Sequence, residues 1–161
     1  MKATSEMLNI ALQEVKIYMD SMEKTSEEIN ILAYWLFRVF IIIIGALLIF
    51  IFLKGDVIPN YILYSCFIFI IPTFISIICL LQVFKKGFVR EIRGSQVKGL
   101  QLINNKQDAY KDVDEIKFYL IKEYRRKAEL NNKKNKEKQT LINWAIFLTS
   151  LGFVCSLIWI L

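Results

Sequence analysis

Ala145, Thr149, Gly152 and Ser156 recur at spacings of four, three and four inside a stretch without charge. Ser65, Pro72, Ser76 and Cys79 follow a similar line inside another, with Phe69 between. Hydroxyls, small side chains and a proline in an apolar setting support two kinds of chemistry, neither of them catalytic. They let helices approach closely and hydrogen-bond across one another where lipid supplies no hydrophobic drive for association. Arranged by several copies about an axis, the same faces line a narrow, mostly uncharged conduit, closed by dewetting where Phe, Ile or Leu crowd it. The spacing admits both, since a pore also needs packed walls. Pro72 cannot donate a backbone hydrogen bond, so a kink or a freed carbonyl is expected there. Thr73 and Asn143 add further hydrogen-bonding groups.

One charge stands among the apolar stretches. Arg38 lies three residues beyond Trp35, close enough to a helix end for its long side chain to snorkel to an interface. The sharper alternative places it in a ring at a cytoplasmic pore mouth, selecting anions or binding an anionic ligand. Enzymatic chemistry finds no support. The sequence contains no histidine, the commonest general base and metal ligand. Cys66, Cys79 and Cys155 are separated by thirteen and seventy-six residues, which matches no zinc or redox pattern. Phosphate-binding loops, dinucleotide fingerprints and nucleophile elbows are missing. The acids all lie outside the apolar stretches, so none is held at membrane depth for proton relay. A protein without catalytic residues, metal or cofactor is expected.

The elements that carry these residues follow from hydropathy. Residues are 55% hydrophobic, and they concentrate in three blocks. From Ala33 to Leu53 the one charge is Arg38, and neither 57–84 nor 139–161 has any. Each block exceeds or approaches the 20 or so helical residues that cross a hydrocarbon core. A soluble bundle is excluded on size, because too little polar sequence remains to cover three helices that are apolar all round. A signal peptide is disfavoured by six acids spread over the first 32 residues. The expected fold is all-α: an integral membrane protein with three transmembrane helices, an N-terminal amphipathic cytoplasmic helix at 1–32 and a basic cytoplasmic helical region at 85–140. The spans are expected at 33–53, 60–84 and 141–161, the first two forming a hairpin within 33–84.

Aromatic residues support these limits: Tyr34 and Trp35, Tyr61 and Tyr64, and Trp144 and Trp159 fall where spans meet water. Between the first two spans, "KGDVIPN" offers Asp56 as a cap and Pro59 for the first helical turn. Residues 85–140 hold sixteen Lys or Arg against eight acids, whereas the hairpin loop holds one Lys and one Asp. The positive-inside rule then puts 85–140 and the N-terminus in the cytoplasm and the C-terminus outside, in the inner (plasma) membrane.

Charge separates the two cytoplasmic segments. Residues 1–32 carry a net of −3 and residues 85–140 a net of +8, so they are expected to attract, within one chain or between copies, beside the basic segment's attraction to the lipid bilayer. Met1, Leu8, Val15, Met22 and Ile29 form one register of a heptad seam, and Thr4, Ala11, Tyr18, Thr25 and Leu32 the other. A second apolar line, Met7, Ile10, Ile17 and Ile31, widens this stripe toward packing with several helices. Within the basic region two helices are expected, the second with Asp108 or Asp112 as N-cap and an apolar face of Val113, Ile116, Leu120 and Tyr124. "NNKKNKEK" continues that helix as a stalk or loosens into a linker, and both remain open. Lys122, Arg125, Arg126 and Lys127 are candidate contacts for a soluble partner. With Lys133, Lys134, Lys136 and Lys138 they could also meet an anionic, nucleotide-type ligand. Few aromatics accompany those lysines to stack bases, and no specific DNA recognition is expected.

This layout resembles the small bacterial two-transmembrane effectors of antiviral nucleotide-signalling systems, the SLATT-type proteins. The matching parts are the leading helix Ser5–Ile31, the hairpin Ala33–Phe84 and the helix Asp112–Leu130. The third span departs from that pattern. The resemblance implies a homo-oligomeric, pore-forming or channel-like effector that permeabilises the inner membrane, its cytoplasmic helices gating it. The alternative reading is a membrane anchor or adaptor subunit that docks a soluble cytoplasmic partner.

Overall fold

The computed structural model describes residues 2–54, 58–87 and 113–160, and their regular structure is entirely helical. In chain order the helices are α1 (Lys2–Lys54), α2 (Asn60–Lys85) and α3 (Val113–Ile160). Each includes a stretch long and apolar enough to cross a membrane.

α1 continues for 53 residues because nothing in it breaks the hydrogen-bond ladder. It has no proline, and its one glycine, Gly45, costs about 1 kcal/mol against alanine without ending the helix. The limits expected at 32/33 and 140/141 fall within α1 and α3, whose hydrogen-bond ladders continue across them. The composition turns from charged to apolar there, but helix formers stand on both sides. α3 likewise runs straight through "NNKKNKEK" for a total of 48 residues, so that segment is a helical stalk and not a linker. Asp56, Asp108, Asp112 and the first expected helix of the basic region beyond Gly87 lie outside the described residues.

α2 starts at Asn60. Pro59 occupies the N-cap position at φ −55° and ψ 140°, outside the helix instead of in its first turn. Its carbonyl accepts the N–H groups of Ile62 at 3.0 Å and Leu63 at 3.3 Å, which closes the first turn without a side-chain cap. Pro72 stays within α2 without terminating it.

The chain forms two compact units: Met1–Ser26 with Phe88–Asn135, and Glu27–Gly87 with Lys136–Leu161. In the first, the described parts of α1 and α3 bring Met19 and Ala128 inside together with Ser26, Lys127, Asn131 and Asn135. The register Leu8, Val15 and Met22 is half-buried, as a seam requires, while Tyr18 and Thr25 of the other register are exposed. Met7, Ile10 and Ile17, expected to widen the packed stripe, are exposed too.

The second unit packs all three helices. Ala33 and Phe40 of α1, Leu80 and Val83 of α2, and Ile142 and Ala145 of α3 form its buried cluster, with Leu36, Phe37, Ile77 and Cys79 against it. Phe37 and Phe84 meet edge to face at 6.1 Å. Beyond Phe40, α1 has little packing, and Phe52 is 90% exposed.

Candidate functional site: the hydroxyl contact between α2 and α3

Seven of the eight weakly polar residues converge in one antiparallel helix contact. At one end Ser65 Oγ donates to the Ser156 carbonyl at 2.8 Å, and Ser156 Oγ donates to the Phe153 carbonyl at 2.8 Å. About eleven residues along α2, Ser76 Oγ lies 2.8 Å from the Ala145 carbonyl and 2.9 Å from the Pro72 carbonyl. Thr149 Oγ1 lies 3.0 Å from both Ser76 Oγ and the Ala145 carbonyl. Each hydroxyl has one proton, so Thr149 donating to Ser76 lets Ser76 donate onward to either carbonyl. Main-chain carbonyls that already serve their own helices thereby become the acceptors across the contact.

Between these two bonded ends the helices touch. A Cβ on Gly152 would lie 3.0 Å from Pro72 Cγ and 3.1 Å from Pro72 Cβ, closer than side chains normally pack. Pro72 has no N–H to give the carbonyl of Ile68, and that carbonyl faces Gly152, 3.5 Å from where its Cβ would stand. The expected freed carbonyl is thus placed against the one residue of α3 that leaves room for it. Phe69 and Phe153 flank the contact edge to face at 6.2 Å. Thr73, also buried, turns its hydroxyl back to the Phe69 carbonyl at 2.8 Å. Cys79 is the eighth residue; it is half-buried against the apolar cluster and takes no part in the hydroxyl contact.

At the polar end of this unit, two side-chain pairs join the helices. Lys86, just past α2, bonds Glu137 of α3. Lys138 Nζ donates to Asn30 Oδ1 of α1 at 3.1 Å, and Lys138 is only 1% exposed. Arg38 lies on the exposed side of α1 with its guanidinium 4.3 Å from the centre of the Tyr34 ring, one turn nearer the N-terminus. Helical side chains lean toward the N-terminus, so this stacking carries the charge toward the charged half of α1.

The basic candidates separate by burial. Lys122, Arg125, Arg126, Lys133 and Lys136 are exposed and Lys134 is half-buried. Lys127 and Lys138, expected as surface contacts, are buried and directed inward. The cause is rotational: both lie on the buried side of α3, where a long stem fills space, and the Lys138 ammonium reaches Asn30. A cavity of about 370 Å³ is lined by Lys122, Glu123, Arg125, Arg126 and Glu129, and Arg126 bonds Glu123 at 2.8 Å. A neighbouring one of about 350 Å³ is lined by Glu14, Val15, Tyr18, Arg125 and Glu129. Acids stand among the cations in both, which suits a polar protein surface better than a small, highly charged anion.

Sequence reasoning missed a polar seam in the first unit. Asn135 Nδ2 donates to the Met22 carbonyl at 3.0 Å, with Ser26 and Asn131 buried nearby in the chain. Asn135 Oδ1 is buried and has no hydrogen-bond partner among the described residues. The spacing of four between Asn131 and Asn135, and between Met22 and Ser26, is the signal that marks one face of each helix. The chain matches no family model, no curated protein and no solved structure.

Proposed function

We propose that this protein is a multi-pass anchor of the inner (plasma) membrane that holds a cytoplasmic helical platform for a soluble partner. The observation that carries this reading is the hydroxyl contact between α2 and α3. Ser65, Ser76, Thr149 and Ser156 spend their hydrogen bonds on each other and on adjacent carbonyls, so the groups best suited to line a conduit face inward. Tyr64, Phe67, Ile71 and Phe74 on α2, and Phe147, Leu151, Val154 and Ile158 on α3, face outward and suit lipid. The N-terminus and the segment between α2 and α3 are assigned to the cytoplasm and the C-terminus to the outside, on the excess of Lys and Arg in 85–140.

The platform belongs to the first unit. Ile10, Ile17 and Phe118 are exposed apolar anchors, and Lys122 and Arg125 are exposed cations. Apolar anchors beside charges of both signs fit a protein surface. Purification in mild detergent should retain a soluble partner in fixed ratio, and Arg125→Glu with Lys122→Glu should release it. Recovery of the chain with copies of itself alone would sink the anchor reading.

Pore formation is the second reading, and one observation favours it. The outer half of α1 is almost unpacked in a single chain, which leaves a long apolar surface open to neighbours. An antiviral effector of this kind must open the α2–α3 contact or build its conduit elsewhere. Dye-loaded liposomes separate the readings: leak that scales with copy number supports the pore, and tight vesicles support the anchor.

A further inference from the structure

The outward side of α3 changes character along a single stripe. Lys136, Thr140, Asn143, Trp144 and Phe147 are all exposed, and their spacing confines them to about 100° of the helix at 3.6 residues per turn. Thr140, Asn143, Trp144 and Phe147 line a concavity of about 280 Å³, and Trp144 and Phe147 meet edge to face at 5.8 Å. Lys136 stands above them, where the charged part of α3 begins. Among the described residues Lys136 makes no ion pair and the Asn143 carboxamide has no hydrogen-bond partner. Three other cations of this unit have partners, Lys86 with Glu137, Lys138 with Asn30 and Arg38 on Tyr34, while Lys85 is exposed on α2.

We infer that this stripe binds one anionic phospholipid. About 10 Å of helix separates Lys136 from Asn143 at 1.5 Å per residue. The headgroup layer on each side of a bilayer is about 5–8 Å thick, so a lipid seated here meets the residues in the order of its own chemistry. Its phosphate faces Lys136, the glycerol esters face the Asn143 carboxamide, since Thr140 Oγ1 already donates to the Lys136 carbonyl at 2.9 Å, and the acyl chain lies over Trp144 and Phe147. A carboxamide turned to the bilayer without a protein partner needs an acceptor or donor of this kind. Preference for an anionic headgroup follows because a zwitterionic one brings its own ammonium, which competes with Lys136. The inference requires only that α3 crosses the membrane and holds for an anchor or a pore alike.

Trp144 reports the site directly. In full-length protein carrying Trp35→Phe and Trp159→Phe it is the sole tryptophan, and phospholipids brominated on the acyl chain quench it on contact. Brominated phosphatidylglycerol should half-quench at about a fivefold lower mole fraction than brominated phosphatidylcholine, the preference that one surface cation confers. Lys136→Gln should abolish that difference, and Asn143→Leu should weaken quenching by both lipids, with helicity by circular dichroism unchanged. Lys85→Gln, on α2, should leave the preference intact. Equal quenching by the two lipids overturns the inference, and so does an equal loss with Lys85→Gln, which would mean diffuse charge attraction. Failure of the protein to float with vesicles would instead overturn its membrane insertion, so the two failures are distinguishable.

Discussion

Pro72 of α2 and Gly152 of α3 face each other at a separation that leaves no room for a methyl group, with Pro72 Cγ 3.0 Å from the site of a Gly152 Cβ. Two residues usually read as helix breakers are here the two halves of one contact. The ring of Pro72 fills the gap that the missing side chain of Gly152 provides, and the Ile68 carbonyl, to which Pro72 has no N–H to give, is sheltered in the same place.

Substituting Gly152 tests this relationship. Gly152→Ala should lower stability in a membrane mimic by about 1–3 kcal/mol, the range for overpacking, despite the better helix propensity of alanine. In a Pro72→Ala background the same change should cost less, because the ring that it meets is gone. Reversible unfolding in mixed micelles, run as a double-mutant cycle, measures the difference, and additive costs would refute the contact.

The hydroxyl contact gives a second expectation. Ser76→Ala and Thr149→Val should each cost about 0.6 kcal/mol, and at most about 1.7, as interhelical hydrogen bonds in membranes do. Thr149 donates to Ser76, so the double variant should lose less than the sum of the singles. Ser65→Ala, at the far end, should add independently to either.

Asn135 offers a change in the opposite direction. Its Oδ1 is buried without a partner among the described residues, while the Met22 carbonyl that its Nδ2 reaches has a helical donor of its own. Leaving a buried acceptor unsatisfied costs about 1–3 kcal/mol. Asn135→Leu should therefore be neutral or raise the thermal midpoint followed by circular dichroism. A marked fall would show that the carboxamide specifies the pairing of α1 with α3.

Arg38 should prove tolerant. It lies exposed over Tyr34, an arrangement worth about 0.5–1 kcal/mol, and it touches no other helix by a described hydrogen bond or ion pair. Arg38→Ala should insert normally and retain its fold. If vesicles show conductance, its size and ion preference should be unchanged, and a shift in selectivity would place Arg38 at a pore mouth.

Much of the site was legible before any helix was placed. Ala145, Thr149, Gly152 and Ser156 announce a contact face because, in an uncharged run, small and hydroxyl side chains at spacings of three and four can share only one side of a helix. What they contact was open, since lipid-embedded packing and a lined conduit ask for the same residues. Continuity through "NNKKNKEK" was equally open: a polar segment has no apolar period to reveal it, and its helix is held by burial of Asn131, Asn135 and Lys138. Lys127 and Lys138 were misplaced for a related reason. Charge and hydropathy say that a lysine prefers water, but they do not say which way its helix is turned.

By itself, then, the sequence determined three helices long and apolar enough to cross a membrane, where their charged ends lie and which faces are small, because each is a local property of residue type and period. Only the tertiary structure decided that the faces of α2 and α3 close on each other and that Pro72 meets Gly152. It also decided that Lys138 turns inward to Asn30. Those outcomes depend on the rotation and register of one helix against another, which are set by the sum of many contacts distant in the chain.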